Sequence, residues 1–207
     1  MEIAIMSIKM IVYTALLTAL TIAGAYLAIP IGPVPIVLQN FFVLLTGLLL
    51  GSRWGLASIG FYLLLGIIGL PVFSRFGAGI SHIFGPTGGF LLSYIPAVFL
   101  IGLISEQGRH RTSSRQTMLW DIFALSAGVI IIYSGGLFWL KWVTKMDWSK
   151  TLATGFLPFI GFDIIKLIAA LLIAPLIRPL MNIIPANTTA SEEKLKDSGN
   201  DKTDHRN

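Results

Sequence analysis

Asp163 and Lys166 stand three residues apart in Pro158-Phe159-Ile160-Gly161-Phe162-Asp163-Ile164-Ile165-Lys166, at the start of the last long apolar stretch of the chain. On a helix this spacing sets two side chains about 60° apart on one face and one turn apart in height, so an acid and an amine so placed meet the same small object or each other. Around them are Ile164, Ile165, Leu167 and Ile168, then Ala169 to Leu176 without a charge. An ionised side chain inside a membrane helix costs roughly 3 kcal/mol on insertion scales, which makes such a residue a candidate for function. Two readings stand at this point. The pair either binds a ligand or is an ion pair that fixes helix packing.

Composition says what surrounds the pair. Hydrophobic residues make up 55% of the chain and charged residues 12%, with a mean hydropathy of +0.80, whereas soluble domains carry about 25% charged residues. The chain is therefore expected to be a multi-pass membrane protein. At ~20 residues per crossing, its 207 residues leave room for about six helices and one small domain. No cysteine is present, which excludes disulfides, a thiol nucleophile and thiolate-held metals or clusters. The formal charge of +5 is no sign of nucleic acid in such a chain, because basic residues there report which loops face the cytoplasm.

Along the chain, Met1 to Lys9 is expected to be a short leader and Met10 to Ile29 the first span, ended by Pro30. A lysine, an apolar run and Ala23-Gly24-Ala25 resemble a secretory signal, but the apolar segments that follow favour an uncleaved helix. Ala15, Ala19 and Ala23 repeat every four residues and form a smooth stripe that admits close approach of another helix, from the same bundle or from a partner. Ile29 to Pro35 is too rich in proline for a helix. Spans are expected at 36–50, with Gln39 and Asn40 as polar residues near its start, and at 56–70, joined by the turn Gly51-Ser52-Arg53-Trp54-Gly55. Pro71 to Gly89 is the longest stretch expected to be non-helical, and three phenylalanines in it argue against disorder and for a segment folded over something. Its Gly85-Pro86-Thr87-Gly88-Gly89 turn lacks the Lys-Ser/Thr of a phosphate loop. His82 has no metal-ligating companion. Further spans are expected at 90–105, 120–140 and 157–176, with an amphipathic connector from Lys141 to Lys150 whose tryptophans suit the headgroup level. Residues 1–184 thus form one membrane domain, and 185–207, rich in Ser, Asn, Lys and acids, a disordered tail.

An even number of spans puts both termini on one side. That side holds Lys9, Arg53, Arg109, Arg111, Arg115 and Arg178, against Arg75, Lys141, Lys145 and Lys150 on the other, so the expected fold is an all-α six-transmembrane-helix bundle with cytoplasmic termini. The proline-rich first loop, the 71–89 segment and the Asp163/Lys166 turn then share the outer face. Their convergence predicts a binding pocket open to the outside.

The motifs Pro33-Val34-Pro35-Ile36-Val37-Leu38-Gln39, Gly69-Leu70-Pro71-Val72-Phe73, Gly85-Pro86-Thr87-Gly88-Gly89-Phe90 and Pro158-Phe159 with Asp163-x-x-Lys166 together resemble those of the BioY family, the membrane-embedded substrate-binding components of energy-coupling-factor (ECF) transporters for biotin. The resemblance runs from about Met10 to Arg178. It implies six helices, vitamin binding near the outer face, Asp163 and Lys166 as ligand contacts, and an alanine stripe that touches a transmembrane coupling subunit. Phe162, not glycine, directly precedes Asp163, which departs from the family's pattern. A cyclic urea offers N–H donors to a carboxylate and a carbonyl to an ammonium, so one ureido group satisfies both residues. Phe73, Phe76 and Tyr94 are candidates for the apolar wall around the thiophane ring and valeryl chain. Arg75 is the candidate for the carboxylate, although a loop arginine is often merely solvated. Gln39, Gly85 and Thr87 complete the candidate ligand set.

Other classes predict other features. An enzyme would need a nucleophile, a histidine cluster or paired carboxylates at helical spacing, and none is found, so neither catalytic nor metal-binding residues are expected. A proton-coupled secondary carrier could use Asp163 as a relay but usually shows internal repeats, and none is visible. A binding component for another small vitamin is a further alternative. No cofactor is expected, biotin being the transported ligand. Lacking a nucleotide-binding motif, a BioY-like chain relies on separate ATPase and coupling subunits in the plasma membrane of a prokaryote.

Overall fold

A computed structural model describes residues 2–30, 33–109 and 114–181. The tail at 185–207, together with Ile31, Gly32, His110 and Arg111, lies outside the described residues. Seven helices occur among them: α1 Glu2–Tyr26, α2 Gln39–Ile67, α3 Ile80–Ile83, α4 Gly88–Arg109, α5 Ser114–Thr144, α6 Trp148–Gly155 and α7 Leu157–Met181. Five of these, α1, α2, α4, α5 and α7, are long and apolar enough to cross a membrane.

Helix α2 is broken at Gly51, whose φ of 76° and ψ of −168° leave the helical region. A buried hydrogen bond from Gln39 Nε2 to the Tyr62 hydroxyl, 2.9 Å long, shows the consequence. Along a straight helix these residues would be about 34 Å apart, so residues 52–67 fold back antiparallel to 39–50. Only glycine serves at this position, since a Cβ would lie 2.1 Å from Glu106 Oε1 and the backbone itself is left-handed.

The break frees backbone groups that have no water to turn to. The carbonyls of Leu48 and Leu49, at the end of the first half, accept from the Arg109 guanidinium, and Leu48 also accepts from Arg178 at 3.2 Å. At the start of the second half, the Ser52 N–H donates to Glu106 Oε1 at 2.7 Å, a negatively charged N-cap lent by α4. Arg178 forms a two-pronged pair with Asp121, Nη1 to Oδ2 at 2.7 Å and Nη2 to Oδ1 at 2.8 Å, and Ser105 joins both. Thus α2, α4, α5 and α7 are knotted together at the Gly51 end by a buried polar network.

Several helix boundaries differ from those expected. Helix α1 begins at Glu2 instead of Met10, taking in the supposed leader. The second span begins at Gln39 instead of Ile36 because Ala28–Ile29 and Ile36–Val37 pair as a two-residue antiparallel ribbon, β1 and β2. The 71–89 segment is partly helical, with a 3-10 turn at Ser74–Phe76 before α3. The connector at 141–150 is divided: α5 runs on to Thr144 and α6 starts at Trp148.

Helices α2, α4 and α5 form the packed centre, with Leu44, Leu48, Val98, Ile101 and Leu125 almost wholly enclosed. Close approach is made by glycine: a Cβ on Gly89 would lie 2.1 Å from Trp139 Cβ. Helix α1 leans on α2 through Leu17, Thr21 and the Thr18–Ser58 hydroxyl pair at 2.9 Å. Its opposite face, with Ala15, Ala19 and Ala23, is exposed. On α7, Ile165, Leu172 and Leu176 also face outward.

Candidate ligand-binding site

Pro158 sits in the first turn of α7, where its fixed φ suits helix initiation and its missing N–H is not needed. One and a half turns later Asp163 and Lys166 emerge on the enclosed face, 6% and 9% exposed. Phe162, which replaces the expected glycine, points outward and leaves the backbone before Asp163 unobstructed. The Lys166 ammonium donates to Asp163 Oδ1 at 2.7 Å and to the carbonyl of Val37 at 2.7 Å. That carbonyl belongs to β2, so the ribbon, absent from the helical expectation for Ile36 and Val37, positions a ligand of the ammonium.

The second carboxylate oxygen is held by residues far away in sequence. Tyr133 on α5 donates to Asp163 Oδ2 at 2.6 Å, and Asn40 Nδ2 lies at 3.4 Å from the same oxygen. The Tyr94 hydroxyl donates to Asn40 Oδ1 at 2.5 Å. A charge this enclosed needs such partners, since hydrogen bonds to charged groups are worth about 1.5–3 kcal/mol each. The result is a chain of polar groups from α4 through α2 to α7, with α5 closing it.

These groups line a chamber of about 40 Å³ bounded by Pro35, Val37, Gln39, Phe90, Tyr94 and Phe159 along with the polar residues. Above it lies an open vestibule of about 510 Å³, walled by Pro33, Arg75, Gly77, His82, Gly85 and Pro86. Pro35, Ser74 and Thr87 line both. Pockets for small organic ligands hold roughly 300–1,000 Å³. The inner chamber is smaller than that, and it shares the lining residues Pro35, Ser74 and Thr87 with the vestibule.

The expected residues divide accordingly. Asp163, Lys166, Gln39, Tyr94 and Thr87 line the chamber; Arg75 and Gly85 stand at the vestibule, with Thr87 on the boundary. Gln39 is turned toward Tyr62 by the bond that closes the α2 hairpin. Tyr94 brings a hydroxyl into the polar chain as well as an apolar face. Phe73 and Phe76 line neither space. Phe73 is fully enclosed beneath the loop, its ring filling the place of a Gly66 side chain, edge-on to Tyr62 and stacked on His82. Phe76 is 71% exposed and rests on Tyr26 at 4.8 Å.

The loop that carries them is tied on several sides. Tyr26 donates to the carbonyl of Pro71, the Gly79 N–H to that of Gly66 at 2.7 Å, and Trp139 to that of Gly85 at 3.0 Å. Burial holds the pKa of His82 below its usual value, so the ring is neutral at pH 7, 3.4 Å from the Thr87 hydroxyl. Among the described residues no group of three or more His, Cys, Asp or Glu is placed to hold a metal ion.

Five helices long and apolar enough to cross a membrane thus stand around one enclosed acid–amine pair beneath a tethered loop. The sequence model of the BioY family matches residues 1–183, and the chain belongs to that family. It is 40% identical over 166 residues to the biotin transporter BioY of Thermotoga maritima, covering 80% of this chain and 94% of that one. It is 41% identical over 169 residues to the probable biotin transporter BioY of Pyrococcus horikoshii, covering 82% and 96%. In three dimensions it is similar to the S-component for biotin from an ECF-type ABC transporter, with a TM-score of 0.77 and 33% identity over 84% of this chain and 92% of that one.

Proposed function

We propose that the chain is the biotin-binding S-component of an ECF-type vitamin transporter, not an enzyme, and that it lies in the plasma membrane of a prokaryote. The observation that carries this reading is the enclosed Asp163–Lys166 pair at the floor of the chamber, in a chain that covers nearly the whole length of relatives named as biotin transporters. The ureido head enters the chamber. Its N–H groups donate to Asp163 and its carbonyl accepts from Lys166, which has three N–H donors against the two contacts described above. Tyr133 and Asn40 hold the carboxylate in position. Phe90, Tyr94 and Phe159 flank the bicyclic ring, and the valeryl carboxylate reaches the vestibule near Arg75.

In this reading the two halves of α2 each cross the bilayer, which gives six crossings and cytoplasmic termini. The 71–89 loop and the ribbon face the outside and separate to admit the ligand. The exposed Ala15, Ala19 and Ala23 stripe meets a transmembrane coupling subunit, and separate ATPase subunits energise release. Equilibrium binding of labelled biotin to the detergent-purified chain tests the proposal: saturable, stoichiometric binding displaced by unlabelled biotin is expected. No saturable binding by a monodisperse protein would overturn it. Sustained proton-driven uptake into proteoliposomes holding this chain alone would favour a secondary carrier.

A further inference from the structure

A separate apolar groove of about 520 Å³ lies between α5, α6 and α7, its lining including Val129, Tyr133, Ser134, Leu137, Phe138 and Trp148. It exists because α5 leans on α4 and barely meets α7. Its α5 residues follow a helical stripe from Val129 to Phe138, a rise of about 13 Å. One leaflet's hydrocarbon is about 15 Å deep. Tyr133 and Ser134 bring the only hydroxyls into this lining. At the loop end Lys141 stands one turn beyond Leu137, its ammonium 5.3 Å from the centre of the Trp148 ring, which in turn meets Phe138 edge-on at 5.2 Å. A leaflet-long apolar slot that ends in an indole and a cation has the chemistry of a phospholipid: acyl chain below, phosphate at the amine, tryptophan at the headgroup level.

We infer that the groove is a binding site for one phospholipid of the leaflet at the loop end, with an acyl chain along Val129 to Phe138 and the phosphate at Lys141. Tyr133 is the partition between the two hollows. Its ring lies edge-on to Phe156 at 5.0 Å and lines the groove, while its hydroxyl holds Asp163 in the chamber. A seated chain therefore backs the tyrosine that orients the carboxylate.

The test is native mass spectrometry of the full chain released from nanodiscs of phosphatidylglycerol or of phosphatidylcholine. The parent is expected to retain one phospholipid, and Ser134→Trp, which fills the slot from an exposed position, to retain none while remaining monodisperse. Lys141→Glu is expected to lower phosphatidylglycerol retention about thirtyfold, from two units of charge at roughly 1 kcal/mol each. Retention by Ser134→Trp equal to the parent's overturns the site. If that variant does not fold, Lys141→Glu decides, since unchanged phosphatidylglycerol retention overturns the headgroup placement and with it the proposal. The count is read without biotin, so it stands or falls separately from the proposed function.

Discussion

Tyr133, on a different helix from Asp163, holds its carboxylate by a hydrogen bond of 2.6 Å. Its hydroxyl donates to a carboxylate that is nearly sealed from solvent, and a hydrogen bond to a charged group is worth about 1.5–3 kcal/mol. Tyr133→Phe, which keeps the ring and its packing, is therefore expected to weaken biotin by roughly ten- to 150-fold without unfolding the protein. Isothermal titration on the two proteins measures this, and equal affinities would reduce Tyr133 to a packing residue. His82 predicts a pH dependence. Its folded pKa is lowered by burial, so protonation is harder in the folded loop than in the open one. The neutral ring's contribution is complete above the ordinary value of about 6.5 and is lost as pH falls from there through the lowered folded value. Limited proteolysis within 71–89 should accelerate between pH 7.5 and 5 in the parent and much less in His82→Gln. An identical pH response in both would remove His82 as the cause.

Among the elements, α2 shows what a linear reading resolves and what it misses. The turn around Gly51 and the two apolar runs on either side were legible, because a glycine, a cation and an aromatic interrupt hydrocarbon there. What holds the turn was not. Arg109 and Arg178 look like ordinary positive residues at span ends, yet they serve the carbonyls that the break exposes, an obligation visible only once the chain has folded back. The β1–β2 ribbon was equally hidden, since two residues on each side carry no periodicity. Asp163 and Lys166 stood out as charges in an apolar run, whereas Asn40 and Tyr133 come from 123 and 30 residues away. A tyrosine in the middle of the fifth apolar segment was the available signal, because its hydroxyl needs a partner in hydrocarbon. Phe73 and Phe76 were legible as apolar but not as to destination, which Gly66 and Tyr26 decide. Breaking the network at the Gly51 end should act on stability: Arg178→Ala strands Asp121, which is 1% exposed, and is expected to cost about 3–5 kcal/mol. Thermal unfolding in detergent should register a marked loss, with near-parental biotin affinity in the folded fraction. Lost affinity at unchanged stability would contradict a structural role.

At the scale of the whole molecule, the two larger buried polar networks lie at the Gly51 end and around Asp163, while α1 and α7 turn exposed apolar faces outward. Helix α1 turns Leu17, Thr18 and Thr21 inward and presents Ala15, Ala19 and Ala23 outward, so a large residue on the stripe extends away from the packed face. Ala19→Trp is accordingly expected to leave biotin binding intact while abolishing co-purification with a coupling subunit, and loss of binding would assign the stripe to internal packing. In the proposed complex one ligand head satisfies Asp163 and Lys166 together. Equilibrium binding of labelled biotin to the purified parent and to Lys166→Ala, with thermal stability recorded on the same samples, tests it most directly. Removing one partner loses a charge-assisted bond and leaves the other charge enclosed, a penalty of roughly 2–5 kcal/mol, or about thirtyfold to several-thousandfold in affinity. The expected result is a folded, monodisperse Lys166→Ala protein with biotin affinity reduced by that factor. A folded variant that binds biotin as tightly as the parent would contradict it.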